Sequence, residues 1–416
     1  MTNSLIWQDS WGSLRIGPRR IAAGNPAGPL RPLAFVVDDL IDVKGTVTGS
    51  GNARWLASTA PAAESAAVVA TLIDAGATCV GKSHVDEFGL SLRDARLHST
   101  VVRNPAAPQR DAAGASRGAA AAVAAGIVPL ALGRDTGGSL SIAAAACGLV
   151  AIRPTPARVD AAGVLPVAPA FDAVGWTTKT LDLAVQIGHR LLGASGVPAP
   201  RRAIDSILMI DPATLGGDQR LGVLTAERVR EQAARAGLRV GRLELRNRDV
   251  DELIALYRDV HVAQTWRLIG GWAQANAFAL SSTTAVALRR GAGLSSADVT
   301  RAQRRLRSLG QKILRQLVEA DAVLAMPAAS ELPALLSDAA PAPAADSPGP
   351  ARPARLANAL GMAGVTLPLG RMDGAPIGVG LWAAPGADES LWELARTFDA
   401  AAPAPVLGRA DLIGAC

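Results

Sequence analysis

Gly133-Arg134-Asp135-Thr136-Gly137-Gly138-Ser139 is the stretch whose reading decides the fold. The apolar run Val128–Leu132 before it predicts a strand, and the small residues of Gly137–Ala146 predict a turn entering a helix, so the paired glycines deliver Ser139 to a helix start. A serine there is either a cap for the helix or a nucleophile on a glycine turn. The second role needs a neighbouring group that takes the hydroxyl proton, and no such group is evident in the immediate sequence.

Outward from this turn, the segments alternate. Leu33–Val37 predicts a buried strand, Ala66–Ala75 a helix stopped by Gly76, and Thr78–Gly81 a second strand, with an alanine-rich helix at Ala119–Ala125. Strands alternating with helices favour a mixed or parallel sheet covered by helices. After about residue 200 the pattern loosens, with helical periodicity at Glu227–Ala236 and at Ala297–Glu319, the latter with a basic outer face. Ala339–Pro353 reads as a surface loop because proline suits neither sheet ladders nor helix interiors. Gly364–Leu369 and Ile377–Trp382 then predict two strands, and Glu389–Asp399 a closing helix. Strands at both ends of the chain point to one sheet built from both halves. The expectation is a single α/β domain over 1–416, with a core at about 30–200, a helical excursion at about 200–335 and closing elements at about 355–405.

The chain has 416 residues, 49% hydrophobic but only 3% aromatic, so its core is built mainly from Ala, Val, Leu and Ile, which favours close helix–sheet packing. Its formal charge is +6, yet the arginines are scattered, densest at Arg301–Arg307, and form no basic face interleaved with aromatics, which argues against nucleic acid. Lysine is confined to Lys44, Lys82, Lys179 and Lys312. Cys79, Cys147 and Cys416 show neither metal-ligand nor disulfide spacing, and His84, His98, His189 and His261 share no ligand spacing, so no metal and no cofactor is expected. Met1–Asp9 lacks the order of a secretory signal, and the apolar run between Arg117 and Arg134 is too short for a membrane span; a cytoplasmic protein is expected.

Three segments together carry more information than any one. They are Val36-Val37-Asp38-Asp39-Leu40-Ile41-Asp42-Val43-Lys44-Gly45, Ala113-Gly114-Ala115-Ser116-Arg117-Gly118-Ala119, and Asp135-Thr136-Gly137-Gly138-Ser139 with Cys147-Gly148 and Arg153-Pro154-Thr155 downstream. In this order and spacing the chain resembles the amidase signature family, and with Val47-Thr48-Gly49-Ser50-Gly51-Asn52 and Trp55 it looks most like the short plant-type indole-3-acetamide hydrolases. The resemblance implies the amidase signature fold, a central mixed β-sheet covered on both faces by helices. It also implies a relay in which a lysine deprotonates a serine held by a cis peptide, which takes the proton of a nucleophilic serine, while backbone N–H groups hold the oxyanion.

Carried over by position, Ser139 stands at the nucleophile and Thr136, Gly137 and Gly138 at the oxyanion turn. Asp38 replaces the lysine and Ala115 the bridging serine. Ser116 matches a second family serine whose side chain is expected to point differently from that of Ala115, and Arg117, Ala119, Ser141 and Ala143 are further departures. The ordinary relay therefore cannot run. The expected function is a remodelled amidase site performing atypical Ser139-dependent hydrolysis or acyl transfer on a small amide or ester, with Asp38 and Ser116 as candidate catalytic groups. Its alternatives are a catalytically silent binding or scaffold protein, and a different reaction with Asp38 as general acid or base. A small amide, ester or carboxylate is the expected partner, a homodimer is allowed, and no nucleic acid or membrane is expected. Asp39 is expected on a solvated turn, His98 near the pocket, Lys44 and Lys82 in structural roles, and Trp55 and Trp176 as core anchors.

Overall fold

The computed structural model describes residues 8–90, 101–193, 203–337 and 349–402. Eleven strands form one sheet: β1 (Leu14–Ile16), β2 (Ala34–Asp38), β3 (Thr78–Ser83), β4 (Leu130–Asp135), β5 (Val150–Arg153), β6 (Ala173–Thr178), β7 (Ser206–Met209), β8 (Arg239–Arg242), β9 (Ala322–Pro327), β10 (Ala363–Met372) and β11 (Ala375–Ala383). Their spatial order is β1-β3-β2-β4-β6-β5-β10-β11-β9-β7-β8. β2 runs parallel to both β3 and β4, β7 runs parallel to β8 and β9, and the middle of the sheet is antiparallel. The sheet is thus mixed, as expected.

Side-chain alternation sends each strand to two cores. Phe35, Val37, Leu130 and Leu132 face a large apolar cluster shared with the helices Ala67–Asp74, Leu181–Gly193 and Asp388–Ala400. Val36 and Ala131 face the other side, where Ala119–Val123, Leu140, Ala143 and Ala144 belong to the helices Arg117–Ala124 and Ser139–Ala146. Alanine on those two helices lets them lie close to the sheet, which brings residues 113–116 against the turn at 136–139. Gly76, at φ +103, ends the helix before β3.

The region after residue 200 is more regular than its pattern suggests. It adds β7, β8 and β9 to the sheet, and a 29-residue helix, Asn247–Ala275, packs with Ser296–Glu319 over Leu324 and Met326 of β9. That long helix buries residues from Val250 to Ala273 against several neighbours, so its apolar positions do not gather into one clean stripe. Residues 338–348 of the proline-rich stretch lie outside the described residues, and its end is not loop. Arg352 and Pro353 open the helix Arg352–Ala359, in the first turn where the missing proline N–H costs nothing.

Gly114 shows how tight this architecture is around the site. It has φ +66, and a Cβ there would lie 2.3 Å from the Ser139 carbonyl oxygen. Gly114→Ala is expected to lower stability by roughly 1–3 kcal/mol in urea unfolding, whereas Gly271→Ala, in a helix and with nothing within 4 Å of the added methyl, should raise it by about 0.5–1 kcal/mol.

Candidate functional site

Asp38 ends β2 and is fully buried. Its parallel register partner is Ser83 of β3, so the Ser83 hydroxyl reaches across the strand pair and donates to Asp38 Oδ1 at 3.0 Å. The Ser116 hydroxyl donates to Oδ2 at 2.5 Å. Loss of solvent dominates these hydrogen bonds and the nearby Arg134 charge, so the Asp38 carboxyl is pushed up to about 7. No hydrogen bond joins Asp38 to Ser139 among the described residues, so the two do not form a direct dyad. Ser116 and Ala115 point in different directions, as expected. As the residue preceding the helix Arg117–Ala124, it turns its hydroxyl to the carboxylate, while Ala115 packs its methyl among Leu40, Val85 and Leu165.

Ser139 is the first residue of its helix rather than its cap. The cap is Gly138, at φ +96, a backbone state that favours glycine. Asp135 organises the turn: its Oδ1 accepts the Gly138 N–H at 2.7 Å, and its Oδ2 accepts both the N–H and the hydroxyl of Ser141. Gly138 therefore does not offer its N–H to a ligand. Among the described residues the amides of Gly137 and Ser139 donate to no acceptor. The Thr136 hydroxyl donates to Asp172 at 2.6 Å, and the Thr136 carbonyl accepts from the Tyr257 hydroxyl at 2.9 Å.

Arg117 is the main group whose role is not legible in the motif. Buried, it donates to both oxygens of Asp111 at 3.0 and 2.8 Å, to Asp86 at 2.6 Å and to the Gly114 carbonyl at 3.1 Å. It ties residues 111–116 to the segment after β3, whose Asp86 N–H in turn donates to the Ala115 carbonyl. Tyr257, the chain's single tyrosine, arrives from the long helix and covers Gly137; its position in an unpatterned region hid it. Ser83 was discoverable, because a serine opposite Asp38 follows from pairing the two predicted strands.

Asp39 is not on a solvated turn. It is 1% exposed and sits with Arg15 at 2.5 Å and Lys82 at 3.3 Å. Lys82 is spent on Asp39 and on the Thr48 hydroxyl at 2.7 Å, and Lys44 lies at the surface with Glu64, which gives both the structural roles expected of them. Trp176 is a fully buried anchor, and Trp55 packs edge-on against Phe88 and Trp272. Cys79 and Cys147 are buried free thiols, and His98 and Cys416 lie outside the described residues. Among the described residues no group of three His, Cys, Asp or Glu side chains is placed to hold a metal, and no helix is long and apolar enough to cross a membrane.

Comparison with known proteins agrees with this geometry. The family model described as Amidase matches residues 3–194. Amidase 1 of Oryza sativa subsp. japonica is 42% identical over 164 residues, 39% of this chain and 38% of that protein. The Translocon at the outer membrane of chloroplasts 64 of Pisum sativum is 39% identical over 166 residues, 40% of this chain and 28% of that protein. The chain thus spans well under half the length of these curated relatives. A crystal structure of an amidase superposes with a TM-score of 0.77 at 26% identity, covering 90% of this chain and 85% of that one. Over residues 3–194 the chain is similar to the amidase family, and its fold is that of a solved amidase over nine-tenths of its length.

Proposed function

We propose that this chain is an amidase-like hydrolase of small amides or esters in which Ser139 is the nucleophile and the Asp38–Ser116 pair replaces the lysine-and-serine relay. The observation that carries the reading is the 2.5 Å hydrogen bond from Ser116 to Asp38: a hydroxyl and a titratable group again stand together in the region assigned to the relay, although neither is the usual residue. Asp38 can accept a proton near neutrality because burial has moved it to about 7.

In this mechanism Ser139 Oγ attacks the carbonyl carbon, and the oxygen that gains the electron pair faces the amides of Gly137 and Ser139. The Ser139 proton passes to Ser116 as the Ser116 proton passes to Asp38. Collapse of the tetrahedral intermediate breaks the bond to the amine or alcohol, which leaves with the proton returned along the same path; water then releases the acyl group by the reverse sequence. The link between Ser116 and Ser139 closes on substrate binding, as catalytic hydrogen bonds often tighten only then. Direct use of Asp38 on substrate is disfavoured because both its oxygens already accept hydroxyls.

A second reading, a catalytically silent binding protein, is favoured by the commitment of the Gly138 N–H to Asp135, which removes one donor from the turn. The two readings separate by labelling with a fluorophosphonate. The hydrolase reading expects labelling at Ser139 that rises with pH through about 7, is absent in Ser139→Ala, and falls at least ten-fold in Ser116→Ala and Asp38→Asn, with the pH dependence flattened in the latter. No labelling between pH 5 and 9 would leave the silent reading.

Asp38 also links protonation to stability. Because its folded pKa lies above the model value of 3.8, the fold favours the protonated form. Its stabilising contribution is complete below about pH 4 and is lost as pH rises through about 7. Relative to Asp38→Asn, the wild type should lose a few kcal/mol, on the order of 4, between pH 4 and pH 8 in urea unfolding; equal pH profiles would show that Asp38 does not titrate in this range.

A further inference from the structure

The helix packed on the glycine turn carries a cation without a counterpart. The helix Arg352–Ala359 packs on the glycine turn: the Ala354 methyl carbon lies 2.5 Å from where a Gly138 Cβ would stand, and Arg355 Cγ lies 3.9 Å from where a Gly137 Cβ would stand, beside the Tyr257 hydroxyl at 2.7 Å. Arg355 is only partly exposed, and loss of solvent lowers its pKa, with Tyr257 and Arg258 as its electrostatic neighbours and no carboxylate opposing the effect. Among the described residues it makes no ion pair or hydrogen bond.

The nearby carboxylates are already engaged. Asp135 holds Gly138 and Ser141. Asp172 accepts from Thr136 and from the amides of Val167 and Ala168. Asp259 pairs with Arg290 at 2.8 Å and Asp251 with Arg352 at 2.6 Å. Arg134 is opposed by Asp172, Asp38 and Asp135, and Arg153 by Asp135, Asp172 and Asp388, whereas Arg355 has no opposing carboxylate. A guanidinium withdrawn from water and left unpaired costs stability unless an anion joins it. One turn along the same helix, Asn358 is fully buried, with Nδ2 3.3 Å from Asp135 and Oδ1 without a donor; a second polar group at the turn therefore lacks its partner.

We propose that Arg355 recognises a carboxylate on the ligand of this site, so that the compound bound is a small amide or ester bearing a carboxylate remote from the bond facing Ser139. A guanidinium matches a carboxylate in two parallel hydrogen bonds, and the partly exposed position lets the ligand reach it. The placement of the ligand rests on the reading of the Ser139 turn as the binding site, but recognition of its charge does not require Ser139 to be activated.

The test compares malonamate, succinamate and glutaramate with the uncharged malonamide, succinamide and glutaramide, by thermal shift and calorimetry at pH 8. The expected result is that at least one carboxylate binds the wild type ten-fold or more tightly than its diamide, that Arg355→Gln removes this preference, and that Arg355→Lys keeps part of it. No preference in the wild type, or a preference intact in Arg355→Gln, overturns the proposal. If Arg355→Gln does not fold, the wild-type comparison together with Arg355→Lys decides. Fluorophosphonate labelling keeps the two readings apart: a carboxylate preference that depends on Arg355 in a protein that does not label supports charge recognition and removes the hydrolase, whereas labelling without any preference does the reverse.

Discussion

A guanidinium buried between two carboxylates is the constraint on which the site depends. Arg117 with Asp111 and Asp86 forms an ion triad out of water, and such a group is tolerable only when nearly every donor is paired. Here its charges are balanced well enough that the nearby carboxylates hold the Arg117 pKa above its ordinary value despite burial. The geometry follows from this pairing. Because Arg117 also takes the Gly114 carbonyl, the chain from Asp111 to Ser116 has little freedom, and the Ser116 hydroxyl is delivered to Asp38 rather than to solvent. Arg117 therefore acts as a clamp on the segment that carries Ala115 and Ser116.

How far the site could be read from sequence depended on whether a residue's partner was local. The turn at 136–139, the strand ending at Asp38 and the alanine-rich helices are legible because glycine punctuation and apolar runs act over a few residues. The face assigned to each strand followed from alternation alone. Asp39 departs from its sequence expectation because its partners, Arg15 and Lys82, come from other strands, and an aspartate beside a turn looks solvated until they are placed. Tyr257, Arg355 and Asn358 are out of reach of a local reading for the same reason: they lie more than a hundred residues from the turn they cover, and the long helix of Tyr257 is buried on several sides, which blurs its periodicity.

Asp38 and Ala115 fit their surroundings, and that bears on the relay proposed here. A serine at 115 would place its hydroxyl among Leu40, Val85 and Leu165, where an unsatisfied hydroxyl costs roughly 1–3 kcal/mol; alanine fills that niche without the cost. A lysine at 38 would set a second cation near Arg134, whereas aspartate gives Arg134 an opposing charge that offsets part of its desolvation. Ser83 and Ser116 then satisfy both carboxylate oxygens. Asp38 keeps both oxygens hydrogen-bonded and Ala115 packs among apolar neighbours, while the unmatched groups lie across the turn at Arg355 and Asn358. The lower half is internally complete and the upper half is electrostatically incomplete, the pattern expected of a pocket whose remaining partner is a ligand.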